Sequence, residues 1–265
     1  MLSWIRRRSV PIRGSADGVA GDRLTVATFN VWFDERYARA RYQAIADLLA
    51  RETPDVMVFQ EVTAPALDVL LGQEWIRTGY QRAEVTGRRT GNYGHLMLSR
   101  APMQRAVYLR LPTRASRGVL RAELNVGGGV LTVGSVHLDS GKASAELRKR
   151  QLRTIFRNLQ DASDAVLLGD FNMRDHEDNG ITAPFVDVWP ALHPDEPGFT
   201  EDTSINAMRF DSTGKERHVR FDRVLVKSGE WTPTRIELLG TEPISPDLPR
   251  VFPSDHFGLV CRLER

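Results

Sequence analysis

The sequence predicts an α/β fold in which two β-sheets stack face to face with helices on their outer sides. Three observations carry this. Strand-like runs at Leu24 to Trp32 and Val56 to Val62 bracket Arg36 to Arg51, where Ala38, Tyr42, Ile45, Leu48 and Leu49 recur at helical spacing. Val119 to Val126 and Val130 to Leu138 flank Gly127-Gly128-Gly129, the composition of an antiparallel hairpin with a flexible turn. Several apolar runs also stop abruptly at polar residues, as buried strands do when their ends form the lip of a site.

The chain of 265 residues is long enough for one large core, and the reading is of a single domain from residue 24 to 265 behind a loose N-terminal tail, residues 1–23. That tail carries arginines but lacks the apolar segment and small-residue cleavage site of a secretory signal. After the first strand, helix and second strand comes an ambiguous stretch containing Leu67 to Leu71. His95 to Ser99 and Val107 to Leu111 then read as short strands, followed by the glycine hairpin. Leu152, Ile155, Phe156 and Leu159 define one face of a helix whose other face, Arg148, Lys149, Arg150, Arg153 and Arg157, reads as solvated. Val166 to Asn172 is a strand ending at Gly169-Asp170-Phe171-Asn172. A polar, proline-punctuated region from Arg174 to about Lys215 is of a length found in functional or disordered segments. Phe221 to Val226 and Phe257 to Leu263 supply the last strands.

A formal net charge of +2 permits a nucleic-acid partner without demanding one. Arg105, Arg110, Arg114, Arg117 and Arg121 are candidates to face a nucleic-acid groove, with a solvated role as the alternative. The single cysteine, Cys261, lies in an apolar run, so there is no disulfide framework and no thiolate metal site; a reducing, cytoplasmic setting is the simple inference. No segment approaches the roughly 18–20 consecutive apolar residues of a membrane helix, and no membrane partner is expected.

The polar residues at strand ends form a set: Asn30, Glu61, His137, Asp170, Asn172, Asp222 and Asp255-His256. Singly each has an ordinary turn or hydrogen-bonding explanation; their joint occurrence carries the argument. Together they can supply what hydrolysis of a phosphodiester needs, namely neutralised phosphoryl oxygens, an oriented water and a stabilised leaving oxygen. Glu61, with Asp255 and Asn30, offers the hard oxygen ligands that suit Mg²⁺ or Mn²⁺. Asp170 can accept a proton from water while Asn172 donates to phosphate. His256 and His137 are candidates for phosphate stabilisation, and a carboxylate such as Asp222 beside an imidazole would fix its tautomer and favour its charge.

Thr28 to Asn30 (TFN), Gln60-Glu61, Gly169 to Asn172 (GDFN) and Ser254 to His256 (SDH), in that order, resemble the four signatures of the endonuclease/exonuclease/phosphatase superfamily. Within it the chain is most similar to the tyrosyl-DNA phosphodiesterases that act on 5′ ends. His137 to Ser140 (HLDS), Met173 to Asp175, Val186 to Trp189, Thr200 with Asp202, Thr203 and Asn206, Arg220 to Arg223 (RFDR), and Leu238 to Gly240 extend that likeness over about Leu24 to Leu263.

The resemblance implies a four-layered α/β sandwich of two mostly antiparallel sheets, DNase I-like, and one catalytic Mg²⁺ with Glu61 as direct ligand, Asp255 acting through water and Asn30 in the same shell. It implies that Asp170 positions or deprotonates the attacking water, that Asn172 and Ser140 contact the phosphate, and that His137 and His256, the latter oriented by Asp222, stabilise the transition state. Arg174 matches an arginine near the tyrosyl leaving group, where a guanidinium can stack on a phenol ring. The implied substrate is single-stranded or 5′-overhang DNA with a 5′-tyrosyl adduct, and a monomer is expected. Two departures stand out: Glu201 occupies a position where the subfamily usually has tryptophan, and only the catalytic region is expected here, without the ubiquitin-binding module of animal members. Other phosphoesterases of the superfamily (an abasic-site endonuclease, a nuclease, an inositol or lipid phosphoesterase) and a non-catalytic nucleic-acid-binding module are the competing readings, the first kept open by Glu201.

Overall fold

Side chains alternate along a strand, and here apolar residues fall on both faces, so each sheet must be covered twice. A computed structural model describes residues 7–16, 18–19, 21–87, 90–227 and 229–265. Its elements run β1 (Arg7–Ser9), β2 (Arg23–Asn30), α1 (Ala38–Glu52), β3 (Val56–Val62), α2 (Ala64–Gly72), α3 (Glu74–Gly79), β4 (Gln81–Val85), β5 (Gly94–Ser99), β6 (Met103–Arg110), β7 (Gly118–Val126) and β8 (Gly129–His137). They continue with α4 (Ala145–Asn158), β9 (Asp164–Asp170), β10 (Phe185–Asp187), α5 (Val188–Leu192), β11 (Glu201–Asp202), α6 (Ala207–Thr213), β12 (His218–Val219), β13 (Asp222–Lys227), β14 (Thr232–Leu239) and β15 (Gly258–Glu264).

One sheet has the order β1-β6-β7-β8-β9-β13-β10 and the other β14-β15-β2-β3-β5-β4, with β11 and β12 as a separate small ribbon. Val26, Val58 and Met97 of the second sheet meet Leu120, Val133, Val166 and Leu168 of the first in the core between the sheets. The alternate residues Ala27, Phe29, Met57 and Phe59 pack under Tyr42, Ile45 and Leu49 of α1 and Leu70 of α2. On the far side Val119, Val136 and Leu167 pack under Leu152 and Ile155 of α4 and Leu159 just after it. Three apolar layers thus separate four layers of secondary structure, the DNase I-like sandwich the resemblance implies.

Two pairings are parallel, β2 with β3 and β8 with β9, and the rest are antiparallel. A parallel pair needs a crossover, which α1 and α4 provide. The consequence is functional: within each sheet the C-terminal ends of two neighbouring strands come out at the same edge. Asp222, at the start of antiparallel β13, is in register with Asp170, and so is His137.

The N-terminal segment differs from expectation. Arg7–Ser9 pairs with Val107 to Leu109 at the sheet edge, Val10 is buried, and Arg13 bridges to Arg82, so the part of the tail described here is docked. The ambiguous stretch at Leu67 to Leu71 is α2, opened by Thr63, whose hydroxyl accepts from Ala66 N, with proline in its first turn. The polar region after Arg174 is ordered into a 3₁₀ turn, β10, α5, β11 and α6. Among the described residues no helix is long and apolar enough to cross a membrane.

Candidate active site

The inward-facing stripe of each strand changes chemistry along its length. Leu24 and Val26 give way to Thr28 and Asn30, Val56 and Val58 to Gln60, Leu131 and Val133 to Ser135 and His137, and Val166 and Leu168 to Asp170, all but fully buried. The first polar layer satisfies itself: Thr28 Oγ1 donates to Gln60 Oε1 (3.2 Å), Gln60 Nε2 donates to Ser135 Oγ (3.1 Å), and Ser135 Oγ bonds His95 Nδ1 at 2.9 Å. Burial, helped by the Arg117 charge, pushes the His95 pKa down to about 3, so it stays neutral. Gly169 admits Gln60 to this layer, since at φ 139° a Cβ there would lie 2.1 Å from Val136 O and 2.9 Å from Gln60 Nε2.

One step further out lie the reactive groups. Asp170 is their hub: its Oδ1 accepts from Asn172 N (2.8 Å), and its Oδ2 accepts from Asn172 Nδ2 (2.9 Å) and Asn30 Nδ2 (3.2 Å). His137 Nε2 stands 3.4 Å from the same oxygen. Burial nonetheless raises the Asp170 pKa to about 7, the range in which a carboxylate is an effective proton acceptor. Asn30 Oδ1 accepts from Trp32 N, so both ends of this amide are used in positioning.

His256 Nδ1 pairs with Asp222 Oδ2 at 2.7 Å. Burial opposes charge on this ring, but Asp222, Asp255 and Asp170 outweigh it and hold the pKa well above the ordinary value. Asp222 is aimed by Thr200, whose hydroxyl accepts from the Phe221 and Asp222 amides while its carbonyl accepts from Phe257 N. His137 is tuned the other way: burial, then Arg117, holds its pKa well below the ordinary value. Arg117 Nη1 lies 2.9 Å from His137 Nδ1, and because arginine only donates, Nδ1 accepts and the proton resides on Nε2.

Glu61 sits at the register shift between Phe59 and Val62, with φ 59°. Trp32 (φ 56°) and Asn172 (φ 52°) are likewise left-handed, so three non-glycine residues around this edge adopt a conformation that the surrounding bonds must impose. Glu61 Oε2 accepts from Phe33 N (3.2 Å), and burial with the nearby Asp255 charge raises its pKa to about 7. The loops carrying these groups are tied by a wholly buried arginine: Arg41 donates to the carbonyls of Val31, Trp32, Asp34, Arg36 and Pro253. Ser254 Oγ donates to Asn30 O (2.6 Å), joining the SDH loop to the end of β2.

A cation fits this edge. Glu61, its side chain 12 % exposed, and the buried Asp255 are carboxylates close enough to repel, the arrangement a hard divalent ion relieves. Asp170, Asp222 and His256 form the tightest group of metal-capable atoms among the described residues, within 4.8 Å of one another, but the Asp222–His256 ion pair already engages two of them.

The sequence-predicted residues Asn30, His137, Asp170, Asn172, Asp222 and His256 therefore meet in one network, with Glu61 and Asp255 beside it. Ser140 and Arg174 do not bond to that network; they line an adjoining cavity of about 630 Å³ with Asn172 and His256, and Arg174 lies 5.5 Å from the Phe221 ring. Sequence reasoning missed Tyr93, His95 and Arg41, whose roles depend on partners far along the chain. Arg117, grouped with exposed or groove arginines, is only 6 % exposed, and its guanidinium lies 5.5 Å from the centre of the Tyr93 ring. Arg148, expected on a solvated helix face, is buried, donating to Glu177 and to the Asp139 and Gly141 carbonyls. The Arg220 and Arg223 of RFDR pair with Asp187 and Asp178, bracing the turn after Arg174.

Residues 27–256 match the Endonuclease/Exonuclease/phosphatase family, and the chain belongs to this family of phosphoester hydrolases. Among its relatives is human Tyrosyl-DNA phosphodiesterase 2, 30 % identical over 259 residues, which are 92 % of this chain and 69 % of that protein. The Xenopus laevis protein of the same name is 30 % identical over 254 residues, 90 % of this chain and 66 % of that one. The chain thus spans about two thirds of the length of these relatives. A crystal structure of Danio rerio TDP2 complexed with single strand DNA product matches with a TM-score of 0.83 at 25 % identity, over 92 % of this chain and all of that one.

Proposed function

We propose that this chain cleaves the 5′-phosphotyrosyl bond between a protein and a DNA strand, leaving a 5′-phosphate. The observation that carries the choice of leaving group is an aromatic wall beside the acid-base network. Phe33, half exposed, stacks on Tyr93 (5.0 Å, 8° between planes), and Tyr93 is capped by the same Arg117 that bonds His137. A phenol ring finds there a flat apolar surface and a guanidinium to favour developing phenolate charge. The resemblance assigns that role to Arg174; its place beside Ser140 and Phe221 instead supports a contact with phosphate.

Glu61 and Asp255 would hold Mg²⁺, or Mn²⁺, which when bound neutralises phosphoryl oxygen charge. Asp170 takes a proton from the attacking water, its carboxylate kept in line by Asn30 and Asn172. His256, charged and braced by Asp222, donates from Nε2 to a phosphoryl oxygen. His137, neutral with its proton on Nε2, donates from the other side, and Ser140 offers a hydroxyl from the cavity wall. The DNA would be single-stranded or a 5′ overhang, bound by a monomer.

Turnover on 5′-tyrosyl, 3′-tyrosyl, abasic-site and inositol-phosphate substrates tests the reading. The expected result is preferred hydrolysis of the 5′-tyrosyl strand with divalent cation present; activity confined to the last two substrates overturns it.

A further inference from the structure

The cavity that opens from Asn172 and His256 runs to the ribbon formed by β11, α6 and β12, and its walls carry Lys142, Arg174, Arg209, Lys215 and Arg217 against only Glu201 and Glu216. At about 630 Å³ it falls within the roughly 300–1,000 Å³ of sites that enclose a ligand. Glu201 organises it. This carboxylate is fully buried, and its Oε1 takes Arg209 Nε at 2.6 Å and Arg217 Nε at 3.3 Å. Arg209 is further pinned by Asp255, whose Oδ2 lies 3.1 Å from Nη1. Arg209 donates from Nε to this carboxylate while Arg217 reaches it as an ion pair only; among the described residues no hydrogen bond engages Nη2 of Arg209 or the terminal nitrogens of Arg217, and both side chains line the cavity. Two arginines gathered on one buried carboxylate, Arg209 by a hydrogen bond and Arg217 by an ion pair, form a fork for a tetrahedral oxyanion. Of the aromatic rings on this wall, Phe221 is covered by Arg174, His218 is held by Asp202 and packs against Phe199, and His256 belongs to the acid-base network, so charge predominates near the fork.

We infer that this cavity holds a second phosphate of the substrate strand, an internucleotide linkage downstream of the scissile one, gripped by Arg209 and Arg217. Glu201 is then a positioning residue that makes strand binding depend on backbone charge and not on the base. The inference rests on the phosphodiesterase reading above and deepens it.

The test uses the full chain and single-stranded 5′-phosphate oligonucleotides in which each of the first three linkages in turn is a neutral methylphosphonate. Binding is followed by fluorescence anisotropy over a range of salt. One linkage is expected to raise Kd about tenfold in the unmodified protein, as for loss of a charge-assisted contact, while an abasic nucleotide at the same place changes it less than about twofold. R217A is expected to weaken binding of the all-phosphodiester strand, to show a smaller penalty from that methylphosphonate because only Arg209 still holds the phosphate, and to lower the slope of log Kd against log salt by about 0.7, the value for one phosphate of a single strand. E201Q should raise KM for the strand more than it lowers kcat. Equal methylphosphonate penalties in the unmodified protein and R217A, or a larger penalty for the abasic strand, overturn the inference. The scan on the unmodified protein decides even if a variant fails to fold. A tyrosyl mononucleotide ester reports the reaction separately: hydrolysis of it with no linkage preference sinks only the clamp, and no hydrolysis of any tyrosyl substrate sinks the reaction while the binding scan still judges the clamp.

Discussion

His256 and His137 are both buried at the same edge, yet the fold holds them in opposite states. His256 lies among Asp222, Asp255 and Asp170, which outweigh the cost of burying its charge. His137 lies beside Arg117 and near the charged His256, which add to that cost. The difference teaches that burial alone does not decide protonation; the sign of the neighbouring charge does. One imidazolium and one neutral imidazole give the site a charged donor on one side and a neutral donor of fixed tautomer on the other, with Asp170 between them.

The largest effect should come from removing the charged partner or the hub. His256→Ala or Asp170→Asn is expected to lower kcat on a 5′-tyrosyl strand by about two to four orders of magnitude; normal turnover in either variant would refute the roles. Asp222→Asn makes the comparison sharper because it keeps the ring in place but withdraws the charge that retains its proton. The His256 pKa then falls, so the alkaline limb of the pH–rate profile should move to lower pH, with a loss of about 10²-fold. An unmoved limb would mean that Asp222 only orients.

On the other side, Arg117→Ala should cost about tenfold, less than the roughly 10²–10³ of a direct oxyanion donor because it acts beside Tyr93 and through His137, and should hurt a tyrosyl ester more than a 4-nitrophenyl ester with its better leaving group. Equal losses would return the leaving-group role to Arg174. The smallest effect concerns the carboxylates that face the histidines. With a Glu61 pKa of about 7, raised from its unfolded value, the protonated carboxyl favours the metal-free fold at low pH, and that contribution is lost as pH rises through 7. A divalent cation competes with that proton. The rise in Tm on adding Mg²⁺ to chelator-treated protein should therefore be greater at pH 8 than at pH 6, at roughly 2–4 °C per kcal/mol of linkage. A shift independent of pH, or one retained in Glu61→Gln, would count against Glu61 as a ligand.

Particular residues show how far the sequence could be read. Val166 to Asn172 announced both its strand and its role, because an aliphatic run ending in Gly-Asp-Phe-Asn has few other uses, and the same holds for Gln60-Glu61 and Ser254 to His256. The edge strands β4 and β14 went unread; TPTRIELL, for one, buries only Ile236 and Leu239 and has little apolar periodicity. Arg117 and Arg148 were misread for a different reason: a guanidinium looks the same in a chain whether it ends in water or on a buried acceptor, and only their tertiary partners reveal burial. Glu201 stood out as a departure, but its meaning came from Arg209 and Arg217 folding over it.

What the sequence determined by itself is the inventory: apolar strands with polar ends, two crossover helices, and the acid-base residues in order. That information is local, carried by periodicity and by short motifs. Only the tertiary structure decided which of those residues share a hydrogen bond, which histidine keeps its proton, and which arginines are anchored or open to a ligand. Those properties depend on distances between groups up to 224 residues apart, such as Asn30 and Ser254, and on a low-polarity surrounding that exists only once the two sheets have closed on each other.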